Sequence, residues 1–298
     1  FVPAGYDPAK RYPIVVALHG IGERGFNNVN QLTLEELAQP WVRDSVQAKH
    51  PHFVMIPQCP TNQFWWPSGT WQGNRSKPNL MIVEVLDSLK REYRLDTTRF
   101  YVAGLSMGGF GTIELMKWNP NLFAAAVPTA GGGDTAVAAI AAYTQTPFWA
   151  FHGASDPTVS AQRGSRTIVS KVETAVGKPF VRFTSNRNLA GSTTITVDSL
   201  RKAVYVDSAD FLYSEVINGN HADGWLEAWR HPMLTDWVFS KQKGGGTVNI
   251  AAAVSSRPHA PANVAIVLRG GVPMLERTLP GGAKRLYTLE GKRVGLRE

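Results

Sequence analysis

Six short runs rich in Val, Ile, Phe and Ala recur along this chain with helical patterns between them. They are YPIVVALHG (12–20), HFVMIPQ (52–58), RFYVAGL (99–105), AAAVPTAG (124–131), PFWAFHG (147–153) and FLYSEVING (211–219). Each run is apolar almost throughout rather than at every second position, so each must be covered on both faces. Strands of that kind separated by helical crossovers build an α/β fold: a mostly parallel central sheet with helices on both sides. Between the runs, Ile82, Leu86, Leu89 and Tyr93 follow helical spacing and predict an amphipathic helix over 79–93. A second helix is expected from about Gln162 to Val176, stopping near Gly177. The stretch 178–210 contains PFVRFTS, TTITV and KAVYV broken by Asn, Gly and Ser, and predicts a β-rich insertion before the last strand, a lid or rim. Residues 1–243 thus read as one catalytic α/β domain, and 244–298 as a linker followed by a basic tail or small β module.

Open parallel sheets bind ligands beyond the carboxyl ends of their strands, which makes the residues just after each run the site candidates. The run RFYVAGL leads into Gly-Leu-Ser-Met-Gly (104–108) and then into the helical pattern FGTIELMKW. A serine on a sharp strand-to-helix turn has its hydroxyl thrust clear of the sheet, and flanking glycines are needed where a Cβ would strike a neighbouring element. Ser106 is the candidate nucleophile. A serine hydroxyl needs a base, and the base needs a carboxylate to orient it. Asp156 follows PFWAFHG, and His221 follows FLYSEVING in Asn-Gly-Asn-His, giving the order Ser, acid, His. Asp134 is the runner-up acid, while Asp207 and Asp210 precede a strand; His19, His152 and His231 are the competing histidines. For a developing oxyanion the expected donors are the N–H of Met107, the residue after the serine, and that of Ile21 in the loop LHGIGERG. Trp65, Trp66 and Trp71 cluster in QFWWPSGTWQ, and with Trp225 they are candidates for substrate contact; buried loop packing is the competing reading for the cluster.

Charge and composition narrow the function classes. The formal net charge is +8, but residues 1–239 carry 21 Lys/Arg against 20 Asp/Glu, and residues 240–298 carry 10 against 3. The basic charge therefore belongs to the tail, and no zinc-finger spacing, RNP-like motif or basic aromatic-interleaved helix argues for nucleic acid. No apolar run reaches the roughly 20 residues of a membrane-crossing helix. Cys59 is the sole cysteine, which excludes an intrachain disulfide and points to a structural role. His50 and His52 lack a third partner for a metal, so neither metal nor cofactor is expected. A phosphate loop is disfavoured because GERG is not followed by Lys-Ser/Thr.

Taken together, YPIVVALHGIGERG, PQCP, YVAGLSMGGFGT, FAAAVPTAGGGD, FWAFHGASDPTV and NGNHADGW resemble a bacterial group of α/β-hydrolase esterases. These are proteins labelled predicted peptidases, together with polyhydroxybutyrate depolymerase-like, feruloyl and acetyl-xylan esterases. The resemblance covers roughly residues 2–241. It implies the α/β-hydrolase fold, Ser106, Asp156 and His221 as the triad, Ile21 and Met107 as oxyanion donors, and site-shaping roles for Glu23 and Arg24. The implied activity is hydrolysis of aryl, acetyl, feruloyl or polyester-type esters without a cofactor. A serine peptidase with the same triad is the near alternative, and a non-catalytic carbohydrate- or polymer-binding protein the distant one. The family's leading strands do not precede Phe1, and RLYTLEGKRVG faintly resembles a secretion-sorting domain of Bacteroidetes. A secreted or periplasmic location is the expectation, on a chain that opens at Phe1 as a polypeptide already under way.

Overall fold

The structure, a computed structural model, describes residues 1–67, 74–186 and 195–244 in full and, beyond them, the backbone of four strands. In chain order the first elements are β1 (Tyr12–Leu18), α1 (Asn30–Thr33), α2 (Gln39–Val42), α3 (Asp44–Lys49), β2 (Phe53–Met55), α4 (Lys77–Glu92), β3 (Leu95–Leu105) and α5 (Met107–Trp118). There follow β4 (Ala125–Thr129), α6 (Val137–Tyr143), β5 (Phe148–Gly153), α7 (Ser165–Val176), β6 (Val181–Ser185), α8 (Val197–Tyr205), β7 (Phe211–Val216), α9 (His221–Arg230) and α10 (Leu234–Ser240). Strands β1 to β7 make one sheet in the order β2-β1-β3-β4-β5-β7-β6, every pair parallel. Four further strands, β8 (Val264–Arg269), β9 (Val272–Thr278), β10 (Lys284–Tyr287) and β11 (Arg293–Val294), form an antiparallel sheet of their own.

Strand β1 shows why the runs are continuously apolar. Ile14, Val16 and Leu18 face the layer made by α4, α5, α6 and α7, whereas Val15 and Ala17 face the layer made by α2, α8, α9 and α10. Side chains alternate across a strand, so a sheet covered on both sides needs apolar residues at every position. The two layers differ in character. The first is aliphatic on its helices, with Ile82, Leu86, Leu115 and Val169; the second is built on Trp41, Trp225, Trp229 and Trp237. The helix ends follow local chemistry. Ser76 caps α4 by accepting from the Asn79 N–H, and Gly177 ends α7 in the left-handed conformation at φ 69°.

The expected β-rich insertion is corrected. PFVRFTS does supply a strand, β6, but it joins the central sheet as an edge, parallel to β7. Lys202 to Tyr205 of KAVYV lie within helix α8, with Val206 as its C-terminal cap, and Thr196 of TTITV is the N-terminal cap of that helix. Leu200, Ala203 and Val204 are buried on one helical face, Leu200 and Val204 against the second layer. That burial outweighs the strand preference of Val and Tyr, on which the expectation rested. Residues 187–194 lie outside the described residues.

The tightest packing is between α5 and the strands beneath it. A Cβ on Gly108 would overlap the Leu18 carbonyl of β1, and one on Gly104 would overlap the Gly108 carbonyl. Gly108→Ala is therefore expected to destabilise the fold by at least about 2 kcal/mol, read as a lower urea midpoint at unchanged m-value. A second expectation concerns pH. Burial lowers His52 and His231 from 6.5 to about 3. The unfolded chain binds those two protons below pH 6.5 and the folded one does not, so stability is full above pH 6.5 and declines as pH falls toward 3. Each such histidine contributes a slope of up to about 1.4 kcal/mol per pH unit. Urea titrations from pH 7.5 to 4.5 should show this slope, and His231→Phe should reduce it by about one proton's worth.

Candidate active site

Ser106, Asp156 and His221 stand at the carboxyl ends of β3, β5 and β7, and the sheet order brings these strands near one another. Ser106 joins β3 to α5 with φ 49° and ψ −114°, a conformation that costs energy for a residue with a side chain. The surroundings hold it there: its N–H donates to Thr129 O of β4 at 3.0 Å, and the glycine contacts beneath α5 leave the turn no slack. His221 is the first residue of α9, whose start is set by a capping box between Asn220 and Asp223. His221 Nε2 lies 2.8 Å from Ser106 Oγ, and Nδ1 lies 2.6 Å from Asp156 Oδ2. The histidine side chain is 19% exposed and the aspartate side chain fully buried.

Asp156 is held at all of its acceptor positions. Oδ1 accepts from the N–H groups of Thr158 and Val159, at 2.8 and 2.9 Å. Oδ2 faces His221 and, at 3.2 Å, the Nε2 of His152. Burial works against the ionised carboxyl, but the bonds from His152, His221, Val159 and Thr158 outweigh it and hold the group far below the usual carboxylate range. Asp156 is thus a fixed anion at neutral pH.

The loop after β1 is fastened from three sides. Burial lowers His19 to about 4. Cys59 N–H donates to its Nε2 at 2.9 Å, so the proton sits on Nδ1 and is given to Gly20 O at 2.6 Å. Trp65 Nε1 donates to His19 O at 3.0 Å. Glu23 is buried beneath the loop; burial raises its pKa against N–H bonds from Gly20 and from its own backbone, with Glu35 adding to the rise. These ties immobilise the segment that carries the Ile21 N–H. Met107 opens α5, so its N–H has no partner within the helix.

Several sequence expectations find other roles. Asp134 pairs with Lys117 at 2.9 Å, Asp207 with Lys202 and Asp210 with Lys241, each away from the histidine. His231 is buried edge-on against Trp149 and Phe151. Trp65 is only 1% exposed, so its expected substrate contact is corrected: its hydrogen bond to His19 makes it a support of the loop. Trp225 is 5% exposed; its ring meets His221 edge-on at 4.9 Å, and its Nε1 donates to Glu35. Trp66 stays half-buried, within a series in which Phe64 and Phe110 lie 5.2 and 4.9 Å from it. Trp71 lies outside the described residues. Cys59 is fully buried and its thiol is pushed up to about 12 by burial, which fits a structural role. Sequence reasoning passed over the Glu35–Trp225 bond and the part played by His152. The second had a visible signal, a histidine four residues before the acid at the same strand end.

Among the described residues no group of three or more His, Cys, Asp or Glu is placed to hold a metal ion, and no helix is long and apolar enough to cross a membrane. An all-parallel sheet of this order, with a strained serine between β3 and α5, is an α/β-hydrolase fold. A crystal structure of a thermostable esterase superposes with a TM-score of 0.66 at 30% identity, over 82% of this chain and 58% of that one. The bifunctional acetylxylan esterase/xylanase of Neocallimastix patriciarum is 26% identical over 163 residues, 55% of this chain and 22% of its own length. Poly(3-hydroxyalkanoate) depolymerase C of Paucimonas lemoignei is 31% identical over 137 residues, 44% of this chain and 30% of its own. The chain thus spans less than a third of either relative. The model of the Esterase family, described as "Putative esterase", matches residues 1–236, and the protein belongs to that family.

Proposed function

We propose that this chain is a carboxylic-ester hydrolase working through an acyl-enzyme, with Ser106 as nucleophile, His221 as general base and acid, and Asp156 as its orienting anion. The observation that carries the reading is the continuous contact from Ser106 Oγ through His221 to Asp156, at 2.8 and 2.6 Å. Ser106 Oγ attacks the acyl carbon as His221 Nε2 takes its proton; the tetrahedral adduct collapses and the same proton leaves with the alcohol. Water, deprotonated by His221, then releases the acid and restores the serine. Asp156 remains ionised throughout and stabilises the imidazolium. The N–H groups of Ile21 and Met107 receive the developing oxyanion, and the rigid loop after β1 supports that role because donors already in place need no reorganisation.

For substrate, the half-buried series Phe64, Trp66 and Phe110 favours an aryl or short-acyl ester. Phe110 stands one helical turn after the nucleophile, with its N–H bonded to Ser106 O. The names of the relatives add polymer-linked esters, of acetylxylan or of a poly(hydroxyalkanoate), as the class to try first. A polymer cannot reach an enzyme enclosed by a membrane, so this reading also places the protein outside the cytoplasm.

A panel of p-nitrophenyl acyl esters, methyl ferulate and a p-nitroanilide peptide tests the proposal. Ester turnover should exceed amide turnover, and Ser106→Ala should lower kcat by at least about a thousandfold with the fold intact. Ester turnover that survives this substitution would sink the serine assignment, and a preference for the anilide would make the enzyme a peptidase. Trp66→Ala should raise KM for methyl ferulate by about fivefold while leaving p-nitrophenyl acetate within twofold, since only an aryl acyl group gains from ring contact.

A further inference from the structure

We infer that His152 is a positioning residue for the reaction, a second histidine that holds the same Asp156 carboxylate oxygen as His221. The inference rests on the triad reading above. His152 is the penultimate residue of β5 and is wholly buried. Its Nε2 faces two acceptors, Val159 O at 2.9 Å and Asp156 Oδ2 at 3.2 Å. An atom between two acceptors carries a proton in either charge state of the ring, so the one His152 Nε2–H is shared between Val159 O and the carboxylate oxygen that receives His221. Its Nδ1 is engaged by Ser165 Oγ at 2.7 Å, which fixes the ring plane from α7.

The turn after β5 closes around this ring. Val159 gives its N–H to Asp156 Oδ1 and takes the His152 proton on its carbonyl, so one residue ties both side chains. His152 is thereby built into the carboxylate's mounting. Other charged groups nearby are already committed: Glu215, paired in register with His152 on β7, is bound by two Arg166 contacts of 2.7 Å and by the Tyr213 hydroxyl. The second N–H at Oδ2 is that of His152.

Two consequences follow from this placement. Sharing Oδ2 between two donors limits how strongly Asp156 holds the His221 proton, and it prevents the carboxylate from rotating out of line. Loss of the His152 donor would concentrate the anion on His221, favour the imidazolium and make His221 a base only at higher pH.

His152→Leu removes the donor, and His152→Gln restores an N–H near the Nε2 position. For His152→Leu, kcat on p-nitrophenyl acetate should fall by about tenfold or more with KM within about twofold, because substrate contacts are untouched. The acid limb of kcat/KM should move up by about half a pH unit or more. His152→Gln should recover kcat to within about threefold of wild type and return the limb to its place. A folded His152→Leu protein with unchanged kcat and limb would overturn the inference, as would equal damage in both variants, which would mean packing alone. Should His152→Leu fail to fold, Ser165→Ala takes its place; freeing Nδ1 should move the limb in the same direction, and no movement would overturn the inference. Failure of the triad itself has a different signature: turnover retained in Ser106→Ala, which no His152 variant can produce.

Discussion

The first turn of α5 rides on the backbone of β1 and β3 with no side chain between them, and the arrangement of the site depends on that contact. Gly108 lies against the Leu18 carbonyl and Gly104 against Gly108, so the chain can enter α5 only through a sharp turn. The strain falls on Ser106, at φ 49°, and is held by a helix and two strands that cannot move apart. A hydroxyl raised in this way needs no further motion to meet a partner from β7.

The parallel sheet supplies those partners. All seven strands point one way, so the segments after β1, β3, β5 and β7 emerge on one edge although they are far apart in sequence. Each is then fixed by its own local chemistry. His19 and Trp65 tie the loop after β1; a four-donor cradle holds Asp156; a capping box and the edge of Trp225 set His221. The polar groups of this edge are mostly buried and bonded, which gives a site whose geometry exists before a ligand arrives. The aromatic second layer, with Trp41, Trp229 and Trp237, packs the helices that carry and flank His221.

Much of this was legible in the chain itself. Continuous apolar runs separated by helical periods permit little except a covered parallel sheet, and glycines flanking a serine at a strand end permit little except an exposed turn. The helices at 77–92 and 165–176 likewise follow their spacing and caps. In 178–210 the strand expected from PFVRFTS forms, but the one expected from KAVYV does not: Val and Tyr favour strands in isolation, while helix α8 is stabilised by burying Leu200 and Val204 in the second layer. For the tryptophan loop the sequence leaves substrate contact and buried packing both open, and for Trp65 the elements that cover it select packing.

The sequence by itself determined the class of fold, the turn that carries Ser106 and the order of the candidate acid and histidine after it, since these depend on local periodicity and on residue types at strand ends. Only the tertiary structure decided which acid meets which histidine. Asp134 and Asp156 both follow strands, but Lys117 takes the first while the turn after β5 delivers the second to His221. It also decided that His152 faces that carboxylate, that Trp65 supports the loop after β1, and that Trp225 packs edge-on against His221. Hydrogen bonds between residues 65 to 115 positions apart arise from packing of the sheet, and packing is a property of the whole chain.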